Sequence, residues 1–147
     1  MKLSIIIVSY NTKQLLADCI DSIGKILYNF SYEIIVVDNN SADGSVEMIK
    51  SKYSHVKLIA NNYNVGFAKA NNQGLEHSSG EYVLMLNSDT IVLRNAIGTL
   101  VDFLDNHSDT AICGPKLLNS DLTIQLPCRR AFPRFINSFS YFSGLSK

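Results

Sequence analysis

The chain has 147 residues, 46% of them hydrophobic and 18% charged, which is enough to bury one sizeable core and far from a disordered composition. Its formal net charge is zero, so nothing global argues for a nucleic-acid partner. The apolar runs are too short to span a bilayer, the N-terminus lacks a signal-peptide layout, and three scattered cysteines form neither a disulfide framework nor a zinc motif.

"LSIIIVSY" (3–10) is a continuous apolar, largely β-branched run, the pattern of a strand covered on both faces. Leu15, Leu16, Cys19, Ile20, Ile23, Ile26 and Leu27 then stripe one face of an amphipathic helix, with Asn11 or Thr12 as its N-cap. "EIIVVD" (33–38) is a second strand, and "SADGS" leads into a short helix marked by Val46, Ile49 and Tyr53. "VKLIA" (56–60) is a third strand, followed by a small-residue helix over 66–78 that Gly80 closes. "EYVLML" (81–86) is a fourth strand, Ile97, Leu100, Val101 and Leu104 stripe a fourth helix, and "TAIC" (110–113) reads as a fifth strand. Such alternation predicts an α/β fold, a mostly parallel sheet sandwiched by helices. After Gly114-Pro115 the rhythm breaks. "KLLNSDLTIQ" reads as a hairpin turning at Asn119, Ser120 and Asp121, and the aromatic, basic stretch that follows has no periodicity.

Ligands of open parallel sheets bind beyond the carboxyl ends of the strands. Those ends carry Ser9-Tyr10-Asn11, Asp38-Asn39-Asn40-Ser41, Asn61-Asn62 and Asn87-Ser88-Asp89. Each end alone is adequately explained as a turn or a helix cap. Together they suit a polar ligand rich in hydroxyl or amide groups. The first turn, "SYNTKQ", is not a GxGxxG loop, and neither a GxxxxGK[ST] loop nor a GxSxG elbow occurs anywhere. The pattern therefore points away from a dinucleotide site, a P-loop and that type of hydrolase. Asp89, which ends an apolar strand, is placed either to hold a hard divalent cation or to cap the next helix, a task Thr90, Arg94 and Asn95 could share. His55, His77 and His107 are dispersed and suggest no metal site.

"SIIIVSYNTKQLLADCIDSI", "VVDNNSADGS", "NVGFAKANNQGL" and "YVLMLNSDT" resemble, in order and spacing, the conserved blocks of family 2 glycosyltransferases, closest to the bacterial rhamnosyltransferase-like branch. The resemblance covers residues 3 to 134. It implies the GT-A fold and inverting transfer of a sugar from a nucleoside-diphosphate donor, with a divalent metal, Mg²⁺ or Mn²⁺, as cofactor. It further implies an enzyme of the hexosyltransferase type in cell-surface polysaccharide synthesis, with a glycan or lipid-linked glycan acceptor. Its expected place is the cytoplasm, at the inner face of the membrane. Carried over by position, Ser9 and Asn11 line the nucleobase end, Asp38 and Asn39 meet base and ribose, and Asn64, Gly66, Phe67 and Asn72 flank the diphosphate. Phe67 and Gly66 are equally explained as a helix start and its packing. Many members have an aspartate where this chain has Asn39. Asn87, Ser88 and Asp89 stand at the metal motif, with Asn87 in place of the first acid and Asp89 as the metal ligand.

The resemblance also implies a carboxylate base well beyond the metal motif, and no matching acidic block is present. Asp102, Asp105, Asp109 and Asp121 do not read as lying at the strand-end edge. The expectation is a donor-binding subdomain over 1–114 and the start of an acceptor-side region over 115–147, binding a nucleotide-sugar better than it turns it over. Arg129, Arg130 and Arg134, with Phe132 and Phe135, face either a lipid-linked acceptor or a membrane surface, or form an ordinary solvated or packed segment. A nucleotidyltransferase and a non-catalytic nucleotide- or carbohydrate-binding module stay open as alternatives.

Overall fold

The computed structural model describes residues 1–26 and 29–125. Leu27, Cys128 and the basic aromatic stretch around Arg129, Arg130 and Arg134 lie outside the described residues. The chain divides into two compact units, Met1–Ala111 and a second beginning at Ile112.

The first unit alternates strands and helices: β1 (Leu3–Ser9), α1 (Lys13–Gly24), β2 (Tyr32–Asp38), α2 (Ser45–Lys52), β3 (Lys57–Ala60), α3 (Phe67–Glu76), β4 (Tyr82–Asn87) and α4 (Ala96–Asn106). The strands form one parallel sheet in the order β3-β2-β1-β4. β1 and β2 are central, and their apolar residues are buried on both faces, as their unbroken apolar runs require.

The two faces are packed differently. Leu3, Ile5 and Ile7 of β1 and Ile34 and Val36 of β2 form one core with Leu16, Cys19, Ile20 and Ile23 of α1, Ile49 of α2, and Ile97 and Val101 of α4. On the opposite face α3 packs against β1 and β2, with Ala70, Asn71 and Gly74 buried. The contact is close, because a Cβ on Gly74 would lie 2.4 Å from Ile6 Cγ2. In β4, Val83 and Met85 are exposed while Tyr82, Leu84 and Leu86 pack against the first core.

One strand expectation fails. Residues 110–113 form no strand, and Ile112 is 88% exposed. A four-residue apolar run followed by Gly114-Pro115 is short, and Pro115 cannot donate to a ladder. Leu15 also departs from its stripe, being exposed while Leu16 and Ala17 are buried. In the second unit the expected hairpin is present as an antiparallel bridge between Leu118 and Ile124. Asp121 Oδ1 accepts bonds from the Thr123 N–H at 3.0 Å and its hydroxyl at 2.6 Å, closing the turn. No helix among the described residues is long and apolar enough to cross a membrane.

Candidate active site

Parallel strands direct all their carboxyl ends to one edge of the sheet, and there a cleft of about 350 Å³ opens. Val8, Tyr10, Thr12, Leu15, Asn39, Asn64, Phe67, Asn87, Ser88 and Asp89 line it. Of the residues singled out from sequence, Tyr10, Asn39, Asn64, Phe67, Asn87, Ser88 and Asp89 thus meet in one place. Thr12 and Leu15, which the sequence pattern explains as a helix cap and a core stripe, join them. Their place at the start of α1, directly after the β1 turn, is the signal that could have marked them.

Hydrogen bonds from neighbouring loops shape the floor. Thr12 is the N-cap residue of α1, yet its hydroxyl does not cap the helix. It bridges Ser9 Oγ at 3.0 Å and Ser88 Oγ at 3.1 Å, tying the end of β1 to the end of β4. The first N–H of α1, from Lys13, goes instead to Asp43 Oδ2 at 2.8 Å. Burial alone would raise the Asp43 pKa, but bonds from Ser45 and Lys13 outweigh it and hold the carboxyl below its ordinary range.

Ser9, Asn11, Asp38, Gly66 and Asn72 are not among the lining residues. Ser9 is buried, and its carbonyl accepts the Asn39 N–H at 2.8 Å. Asn11, with φ +53°, accepts the Ala42 N–H on Oδ1 at 2.8 Å, while its own N–H donates to Ser41 Oγ at 2.9 Å. It clasps the β2–α2 loop to the β1–α1 turn. Asp38 is completely buried. Its Oδ1 accepts the Ser41 N–H at 2.9 Å, and its Oδ2 has no hydrogen-bond partner among the described residues. Asn72 is exposed on α3, whereas its neighbour Asn71 is buried and donates to the Phe67 carbonyl at 3.0 Å.

Gly66 acts through its backbone. At φ +85° and ψ 161° it adopts a conformation essentially restricted to glycine, and its N–H is held by Asn64 Oδ1 at 2.9 Å. The kink starts α3 with Phe67 62% exposed on the cleft wall, so Phe67 is not a core-packing residue.

Asp89 is exposed at the cleft, and its carboxylate accepts no hydrogen bond among the described residues. It does not cap the next helix, because α4 begins at Ala96 with Asn95 as N-cap. No group of three or more His, Cys, Asp or Glu that could hold a metal occurs among the described residues. A single carboxylate beside an amide and a hydroxyl still fits Mg²⁺ or Mn²⁺, ions that keep waters and substrate phosphates as their other ligands. The buried Cys19 thiol donates to the Asn87 carbonyl at 3.6 Å. Burial, and then the Asp89 charge, push its pKa up to about 12.

The sequence matches glycosyl transferase family 2 over residues 4–142. The chain belongs to glycosyl transferase family 2. Among similar proteins, the poly(ribitol-phosphate) beta-glucosyltransferase of Bacillus spizizenii is 34% identical over 125 residues, covering 81% of this chain and 20% of that protein. The UDP-Glc:alpha-D-GlcNAc-diphosphoundecaprenol beta-1,3-glucosyltransferase WfgD of Escherichia coli is 34% identical over 95 residues, 64% of this chain and 37% of the relative. The crystal structure of S. aureus TarS 1-349 in complex with UDP-GlcNAc superposes with a TM-score of 0.63 at 26% identity, over 74% of this chain and 32% of that one. The chain thus spans well under half the length of each relative, and its sheet is that of the GT-A fold.

Proposed function

We propose that the cleft holds the nucleoside diphosphate of a UDP- or dTDP-linked sugar, and that the family 2 enzyme carrying this domain transfers the sugar with inversion. The acceptor is a glycan or lipid-linked glycan of the cell surface. The observation that carries this reading is the convergence of Asn39, Asn64, Phe67 and Asp89, from four separate segments, on one cleft at the strand ends. TarS in complex with UDP-GlcNAc and WfgD, whose name specifies a diphosphoundecaprenol acceptor, support the donor and acceptor classes.

In this reading each lining group has a part. Tyr10 and Phe67 are exposed aromatic surfaces suited to the faces of a base or sugar. Asn39 and Asn64 supply amide contacts to the nucleotide. Asp38, buried behind the cleft, holds the Ser41 N–H and so shapes the turn that carries Asn39. Asp89, with Asn87 and Ser88 beside it, would hold the divalent metal. When bound, that metal offsets the charge developing on the departing diphosphate.

The acceptor base is assigned outside these residues. Among the described residues Asp89 is the one carboxylate lining the cleft. Asp105 is bound to Lys2 Nζ at 2.7 Å and to the Tyr82 hydroxyl at 2.8 Å, at the opposite ends of β1 and β4. The domain on its own should therefore bind donor far better than it turns it over.

Calorimetric titration with UDP, dTDP and their sugars, with and without Mg²⁺ or Mn²⁺, tests this. Metal-dependent binding that disappears in Asp89→Ala supports it. Binding indifferent to metal, or selective for nucleoside triphosphates, refutes it and favours the nucleotidyltransferase or non-catalytic alternatives.

A further inference from the structure

Three side-chain amides from three different elements meet beside the cleft. Asn39 follows β2, Asn61 follows β3, and Gln73 sits in α3. Asn61 Nδ2 donates to Asn39 Oδ1 at 3.0 Å and to Gln73 Oε1 at 2.9 Å. Gln73 Nε2 donates back to Asn61 Oδ1 at 3.0 Å. Both N–H groups of Asn61 and its oxygen are thus spent inside the network, and of the three residues only Asn39 lines the cleft.

A primary amide has one accepting end and one donating end. The Asn39 oxygen is committed to Asn61, so its NH₂ is the end left for the cleft. Asn39 cannot turn over by itself, because that would set its NH₂ against the Asn61 NH₂. Asn61 is held in turn by the two-bond pair with Gln73. The polarity Asn39 shows to a ligand is therefore coupled to two residues that never touch that ligand, since Asn39 turns over only if Asn61 and Gln73 turn with it.

We infer that Asn61 and Gln73 are positioning residues that hold Asn39 with its N–H donors toward the cleft, so that the part of the ligand it meets is a hydrogen-bond acceptor. Resting on the nucleotide reading above, that acceptor is a base carbonyl or a ribose oxygen. The arrangement makes residue 39 a specificity-determining position whose setting is stored on β3's following loop and on α3. A neutral donor held in place in this way needs no reorganisation when the nucleotide arrives.

The test is a double-mutant cycle read by calorimetric titration of the 147-residue chain with UDP in Mg²⁺. In Asn61→Asp the side chain can only accept, so it draws the Asn39 NH₂ to itself and leaves an oxygen facing the ligand. UDP affinity should fall by at least about tenfold, the cost of leaving a ligand acceptor against another acceptor. In an Asn39→Ala background the same change should cost no further affinity, within about twofold, because its whole effect runs through Asn39. Gln73→Met, which removes the distal anchor, should show a smaller loss that is likewise abolished in the Asn39→Ala background. It also serves if Asn61→Asp fails to fold. Thermal unfolding of each variant identifies the folded ones. Undiminished UDP binding in the single variants, or losses that simply add to that of Asn39→Ala, would overturn the inference while leaving the nucleotide reading intact. A wild-type chain that binds none of UDP, dTDP or GDP overturns both.

Discussion

Gly74→Ala tests how tightly α3, and with it the cleft wall, is pressed onto the sheet. The added Cβ would stand 2.4 Å from Ile6 Cγ2 and 3.3 Å from Ile6 Cγ1. Carbon atoms prefer a separation of roughly 3.5–4.0 Å, so helix and strand must part by about 1 Å or more. Ile6 is β-branched and fully buried, and it cannot swing aside as a long flexible chain would. Overpacking of this kind costs about 1–3 kcal/mol, and the better helix propensity of alanine returns about 0.5–1 kcal/mol. The expected net destabilisation is on the order of 1–2 kcal/mol, read as a lower urea midpoint at unchanged slope. Ile6→Ala alone opens a cavity costing about 2–5 kcal/mol, but it also removes the atoms that the new methyl strikes. Together the two changes should therefore cost less than their sum by at least about 1 kcal/mol. A Gly74→Ala protein as stable as wild type, or strictly additive losses, would refute the close packing argued for this face. Since α3 begins at Phe67, the single variant should also weaken nucleotide binding.

Asn11→Ala should cost about 2–3 kcal/mol, combining the lost bond to the Ala42 N–H with left-handed strain at φ +53°, and Asn11→Gly should recover only the strain part; urea unfolding measures both. Asp105→Asn should leave nucleotide affinity within about twofold, because Asp105 serves the Lys2–Tyr82 cluster at the far end of the strands. A large loss would reopen it as a site residue. The Cys19 thiol, raised from 9.0 to about 12, stays protonated in the folded chain over a range where it ionises in the unfolded one. Its stabilising contribution is full below pH 9.0 and is lost as pH rises toward 12, so the urea midpoint should decline there more in wild type than in Cys19→Ala. Native Cys19 should also resist thiol reagents at neutral pH until urea is added, whereas partly exposed Cys113 reacts.

Local patterning was enough for the strand–helix alternation, because a run such as Ile5–Ile6–Ile7 has no soluble use except between two helical layers. It was also enough for the edge where the site lies, since parallel strands must all end on the same side. Asp89, Asn87, Ser88 and Asn39 were legible for that reason, each ending or following an apolar run at that edge. Asn64 was legible only through the family resemblance, and Ser9, Asn11 and Asp38 stand at the same edge yet turn to partners within the fold. The "TAIC" run misled because an apolar tetrapeptide says nothing about whether a neighbouring strand is there to bond it. What tertiary structure alone decided is partnership across the chain. Asn11 was turned toward Ala42, Thr12 was diverted from its helix to Ser9 and Ser88, and the kink at Gly66 aimed Phe67 outward instead of into the core. Side-chain amides and hydroxyls take whichever partner the fold brings within about 3 Å, and sequence spacing carries no record of that choice. Asn39, Asn61 and Gln73 lie 22 and 12 positions apart, and only the packing of β2, β3 and α3 makes them one hydrogen-bonded unit.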